Sequence, residues 1–169
     1  LNNSYLTIQG PPGSGKTYTA KHIIVELLKQ GKQIGISSNS HKAINHLLIS
    51  TAEYCKKEGI SGYFACTKET DESLAKLGIS IFENKSIADN LRPGCVIGTT
   101  AWGFARSELE NTFDYLFIDE AGQVSVANLI AMSRATKNII LMGDQMQLGQ
   151  PSQGSHPEES GASILDYLL

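Results

Sequence analysis

The apolar positions of this chain follow two alternating rhythms. Short, nearly continuous apolar runs are separated by stretches in which apolar side chains recur every three or four positions. Residues 5–8 (YLTI), 33–37 (QIGIS), 95–100 (CVIGTT), 115–118 (YLFI) and 138–142 (NIILM) are runs of the first kind and predict five strands, mostly buried on both faces. After the first run, Ala20, Ile23, Ile24, Leu27 and Leu28 mark the apolar face of a helix over residues 17–29, which Gly31 is placed to end. Ala43, Leu47, Leu48 and Ala52 mark a second helix, with Asn39 or Ser40 as its cap. Residues 125–135 predict a third, with Val126, Leu129, Ile130 and Ser133 on one face, and residues 163–168 begin a last one. Strands that alternate with helices pair in parallel through crossovers. The pattern therefore predicts an α/β fold, a doubly wound and mostly parallel sheet flanked by helices. Residues 56–92 keep neither rhythm: residues 63–65 and 79–82 suggest short extended pieces and residues 72–77 a helical turn or two, so the stretch reads as a small irregular insertion.

Composition narrows this picture slightly. A chain of 169 residues is one domain by length, with room for a core. Hydrophobic content of 41% and charged content of 18% are ordinary for a globular chain and exclude wholesale disorder. The net charge of -3 argues against a strongly basic nucleic-acid-binding protein, although one face of an acidic chain can still be positive. Cys55, Cys66 and Cys95 are scattered and form no C-x-x-C pair, which suggests reduced, core-filling thiols and a cytoplasmic setting. No apolar run has membrane length and no signal peptide is evident, so no membrane partner is expected. The chain opens almost directly on a strand, which suggests a piece of a longer protein.

The chemistry begins at residues 10–17, GPPGSGKT, which fit the phosphate-binding pattern G-x-x-x-x-G-K-[ST]. Between a strand and a helix, Gly10, Pro11, Pro12, Gly13, Ser14, Gly15, Lys16 and Thr17 form a loop whose backbone N–H groups turn toward a phosphate. Lys16 reaches the β/γ-phosphates and Thr17 offers a hydroxyl to Mg²⁺. Asp119 and Glu120 follow an apolar strand, as a Walker B pair does. Asp119 is the candidate Mg²⁺ ligand and Glu120 the group that orients and deprotonates an attacking water. Helix capping is the alternative for the two carboxylates. All the chemical candidates fall just after strands, at residues 10–17, 38–41, 99–100, 119–120 and 144–147, where ligands bind in open α/β sheets.

These segments resemble a known family. GPPGSGKT, DEAGQ (residues 119–123) and GDQMQL (residues 143–148) are similar to motifs I, II and III of superfamily 1 helicases, in the branch of the RNA-surveillance and replication-fork helicases. ISSNSHKAINHLL (residues 36–48) and VIGTTA (residues 96–101) resemble motifs Ia and Ic, and ASILDYL (residues 162–168) the helix that leaves the first motor domain. The wording around the first and last motifs also resembles the helicase half of bacterial proteins that join a RecB-like nuclease to this motor. The resemblance spans nearly the whole chain except residues 56–92. It implies a RecA-like P-loop NTPase, one helicase motor domain over residues 1–169, using ATP and Mg²⁺.

By the same resemblance Lys16, Asp119, Glu120 and Gln147 are catalytic, Gln147 sensing the γ-phosphate. Gln123 and Asp144 couple that sensing to the nucleic-acid side. Ser38, Asn39, His41, Thr99 and Thr100 touch the backbone of single-stranded nucleic acid, DNA ranked ahead of RNA. A turn or cap is the alternative for the two threonines, and an exposed helix start for His41. Tyr18 lies near the base. Two departures stand out. Residues 148–151 read LGQP where the branch has Q-L-P-P, and the adenine-reading glutamine upstream of the first strand is not within the chain. None of Arg92, Arg106 and Arg134 sits in a finger motif, so the transition-state arginines are expected from a second RecA-like domain. The domain alone is expected to bind Mg-ATP weakly, hydrolyse it slowly and unwind nothing. The alternatives are a P-loop small-molecule or nucleotide kinase, although residues 145–161 contain no Lys or Arg for a lid, and a non-catalytic nucleotide switch, although Glu120 is present.

Overall fold

A computed structural model gives the fold, and the structure describes residues 1–144. Seven strands, β1 (Tyr5–Gln9), β2 (Ile34–Ser37), β3 (Tyr63–Cys66), β4 (Ser80–Ile81), β5 (Cys95–Gly98), β6 (Tyr115–Ile118) and β7 (Ile139–Gly143), form one sheet in the order β1-β7-β6-β2-β5-β3-β4. Every pairing is parallel. The helices are α1 (Lys16–Lys29), α2 (His41–Glu58), α3 (Ser73–Lys76), α4 (Ile87–Asn90), α5 (Ala101–Phe104) and α6 (Val126–Ser133).

The continuous apolar strands follow from the two layers that cover them. Successive side chains point to opposite faces. Phe117 joins Ile34 and Ile36 under α1 and α2, against Ala20, Ile24, Leu28, Ile44, Leu47 and Leu48. Its neighbours Leu116 and Ile118 enter the opposite core with Ile97, Phe104, Phe113 and Met132. Each such Leu, Ile or Phe, fully buried, contributes about 1.5–3 kcal/mol.

The fold is the one the strand and helix rhythm predicts, with differences in detail. Within residues 56–92, the extended pieces expected at 63–65 and 79–82 join the sheet: β3 pairs with β5 and β4 with β3, and together they form its edge. On α2 Leu47, Leu48 and Ala52 are buried as expected, but Ile44 takes the place of Ala43, which is only half-buried. On α6 Met132 is buried, while Ile130, one of the residues that mark the helix, is 63% exposed. β5 stops at Gly98, so Thr99 and Thr100 belong to the turn that follows. The expected helix over residues 163–168 lies outside the described residues.

Because every strand is parallel, all carboxyl ends lie along one edge. That edge carries the loop after β1, Ser38 and Asn39 after β2, Thr99 and Thr100 after β5, Asp119 and Glu120 after β6, and Asp144 after β7.

Candidate nucleotide-binding site

The loop between β1 and α1 is built to hold something. Gly13 and Gly15 take φ values of 78° and 86°, in the left-handed region open to glycine, and so turn the chain into the first turn of α1. Gly15 sits at the N-cap position without a side-chain cap, which leaves the first N–H groups of a 14-residue helix for a ligand. The Gly10 N–H donates to the Gly143 carbonyl at 3.2 Å, fixing the loop to the end of β7. Lys16 Nζ donates to the carbonyls of Gly10 at 2.5 Å and Pro11 at 2.9 Å, so the ammonium is held across the loop.

The opposite wall comes from β6. The Asp119 N–H donates to the Ser37 carbonyl at 2.8 Å, and its Oδ1 accepts from the Glu120 N–H at 2.9 Å. Burial pushes the Asp119 carboxyl above its ordinary range, and the Glu120 charge adds to this. The hydrogen bond from the Glu120 N–H and the charges of Lys16 and His46 oppose it. A carboxylate held in such a place gains from a cation. With the Thr17 hydroxyl on the same cleft, the donor set is hard oxygen, which suits Mg²⁺ shared with phosphates. Glu120 has φ 53°, a left-handed backbone that costs a non-glycine residue about 1–3 kcal/mol and is found at functional sites. Its Oε2 accepts from Ser38 Oγ at 3.2 Å.

These elements enclose a cleft of about 400 Å³, within the range of small-ligand sites. Pro12, Gly13, Lys16, Thr17, Asp119, Glu120 and Asp144, all expected from the sequence, line it. Gly143, Ser40, Ala43, Lys42 and His46 complete it. Lys42 and His46 were not expected. They stand one turn apart at the start of α2, and polar residues at that spacing beside an apolar face were the only available signal. Tyr18 lies outside this lining. It is 64% exposed, and its ring sits 4.2 Å from that of His22, which is 4.8 Å from Tyr54. Gln147 lies outside the described residues.

The residues expected to touch nucleic acid are placed differently. Ser38 is buried and committed to Glu120. Asn39 Nδ2 donates to the Gln123 carbonyl, so the two residues after β2 hold the turn after β6. Thr99 is fully buried, its hydroxyl bonded to Asn84 Oδ1 and Thr67 Oγ1, each at 2.8 Å, and it offers no side-chain contact to a ligand. Thr100 is half-buried at the N-cap position of α5. His41 opens α2 after the Ser40 cap, whose Oγ accepts from the Ala43 N–H at 3.1 Å. The His41 Nδ1 is buried without a partner. Burial and then the charge of Lys68 push its pKa down.

A parallel sheet, a glycine loop leading into a helix and a carboxylate pair on the adjoining strand define a P-loop nucleoside-triphosphate site. The comparisons narrow that class. Residues 1–154 match a family described as an AAA domain. The DNA replication ATP-dependent helicase/nuclease JHS1 of Arabidopsis thaliana is 30% identical over 95% of the chain and 12% of its own length. The ATP-dependent helicase NAM7 of Saccharomyces cerevisiae is 27% identical over 84% of the chain and 18% of its own length. Among solved structures, an arterivirus nonstructural protein 10 (helicase) in complex with DNA superposes with a TM-score of 0.53 at 17% identity, over 94% of this chain and 33% of that one. The chain belongs to this AAA domain family and is a RecA-like motor domain of the superfamily 1 helicase kind. It spans less than a fifth of the length of these two curated relatives.

Proposed function

We propose that this domain binds ATP with Mg²⁺ and hydrolyses it, and that in the longer protein the cycle drives movement along single-stranded nucleic acid, DNA ahead of RNA. One observation carries the reading: Lys16 and Thr17 from one loop, and Asp119 and Glu120 from another strand, line a single cleft at the carboxyl edge of the sheet.

In this reading the free N–H groups of the loop and the Lys16 ammonium take the β/γ-phosphates, and Lys16 exchanges its two loop carbonyls for phosphate oxygens. Thr17 and Asp119 hold the cation, which supplies charge neutralisation on the phosphates when bound. Glu120, steadied by Ser38, orients a water and accepts its proton. Gln147 reports the γ-phosphate, and Asp144 and Gln123 couple that report to the nucleic-acid side, the Gln123 carbonyl through its hydrogen bond from Asn39. A second RecA-like domain supplies the arginine, worth ~10³–10⁵ in rate. The family assignment displaces the kinase reading. The free, buried state of Cys55, Cys66 and Cys95 supports a reducing, cytoplasmic setting. Among the described residues no helix is long and apolar enough to cross a membrane.

Steady-state phosphate release and strand displacement by the 169-residue protein test this. Weak Mg-ATP binding with slow release and no unwinding is expected, whereas phosphate transfer to a small acceptor, binding without any turnover, or robust unwinding by this chain alone contradicts it.

A further inference from the structure

We propose that Trp102 is a stacking platform for a base of single-stranded nucleic acid, with Lys68 on the same edge of the sheet as a phosphate contact. The inference rests on the nucleic-acid part of the function proposed above.

Trp102 is 83% exposed, the most exposed large apolar side chain among the described residues. A single exposed apolar residue is ordinary on a protein surface, so position and anchoring carry the argument. Trp102 follows Thr100 at the carboxyl end of β5, beside β2, where the Thr99 N–H donates to the Ile36 carbonyl at 3.1 Å. It therefore stands on the edge that also bears Asn39 and His41.

The backbone on either side of it is pinned. Phe104 is fully buried, edge-on to Phe113 at 5.2 Å. Gly103 packs so closely on Thr99 that a Cβ there would lie 2.4 Å from the Thr99 hydroxyl and 2.7 Å from Asn84 Oδ1. A buried polar knot thus fixes the helix turn while leaving the indole in solvent. With the backbone fixed, binding a base orders the indole side chain alone.

Lys68 belongs to the same knot. Thr67 bonds Thr99 through its hydroxyl, and its N–H donates to the Gly98 carbonyl at 3.2 Å, which brings the next residue to the edge beside Thr99. Lys68 is exposed and in no ion pair among the described residues. Its charge acts on His41 at the start of α2. An aromatic face with a cation nearby is how proteins hold single strands without reading sequence, one group for the base and one for the backbone. The competing occupant is a protein surface on Trp102 and Ile130 of the adjacent α6. Thr100, Lys68 and His41, polar residues of the same edge, favour the nucleic acid.

Trp102 is the single tryptophan of the chain, so intrinsic indole emission reports on it alone. The 169-residue protein is titrated with an oligothymidylate of about ten nucleotides, a length within the range such grooves accept. Binding is followed independently by anisotropy of a labelled copy. Saturable quenching with the same midpoint as the anisotropy is expected. W102A should weaken binding about tenfold and W102F should recover most of the loss. K68A should weaken binding and flatten its salt dependence. Both Trp102 variants should melt like the parent, since the side chain is exposed. Binding seen by anisotropy with unchanged emission, and W102A binding like the parent, overturns the platform while leaving the motor-domain reading intact. No binding at any concentration overturns the platform, and the motor-domain reading then stands or falls on phosphate release alone. An indole shielded from acrylamide in the free protein overturns the platform in favour of a protein occupant.

Discussion

The carboxyl edge of the sheet has two halves that use their polar residues in opposite ways. On the half formed by β1, β7 and β6, Lys16, Thr17, Asp119 and Glu120 face a shared cleft, and burial with a neighbouring negative charge disfavours the ionised Asp119. On the half formed by β2, β5 and β3, Ser38, Asn39 and Thr99 spend their hydrogen bonds inside the protein. The first half is prepared for a ligand and the second is a brace. Ser38 and Asn39 tie the brace to the Glu120 turn, so the boundary between the halves runs through the residues that would couple the two ligands. Thr100, Trp102, His41 and Lys68 remain at the surface of the second half.

Substitutions can break this contrast. The largest effect on binding is expected from Lys16→Ala, which removes the ammonium held over the loop. Affinity for a fluorescent ATP analogue, measured by titration, should fall about tenfold to a hundredfold while the melting temperature stays near that of the parent, because among the described residues Lys16 bonds only its own loop. Gly103→Ala strikes the brace instead. Its added methyl meets Thr99 and Asn84, so a thermal melt should show a loss of about 1–3 kcal/mol, with nucleotide affinity unchanged once folded. The smallest effect sharpens the boundary: Ser38→Ala removes the hydroxyl donated to Glu120. Turnover should drop about threefold to tenfold at unchanged ATP affinity, and oligonucleotide affinity should hold. A loss of oligonucleotide affinity in that variant would instead make Ser38 a nucleic-acid contact.

The ligand half was readable in the sequence because its requirements are local. A left-handed loop needs glycine at positions 13 and 15, and a buried strand ending in two carboxylates is visible in a six-residue window. The brace was not readable because it depends on contacts distant in sequence. Thr99 looks like a surface threonine until Asn84, 15 residues away, and Thr67, 32 residues away, close over its hydroxyl. The extended pieces at residues 63–65 and 79–82 were legible, but their place in the sheet as β3 and β4 was not, because they are four and two residues long and residues 59–62 and Gly78 interrupt the apolar rhythm around them. Lys42 and His46 were missed for a related reason. Their helix was expected, but its first turns reach the cleft only through the way α2 sits on the sheet.

The central claim is that Glu120, in its left-handed turn and held by Ser38, performs the hydrolytic step in a cleft whose remaining walls only bind. Single-turnover hydrolysis of ATP by the parent and by Glu120→Gln, at saturating protein, tests it most directly. Glutamine keeps an acceptor for Ser38 and loses the base. Equal nucleotide affinity with cleavage slowed about a hundredfold or more is the expected result. Cleavage by Glu120→Gln at the parent rate would contradict the account.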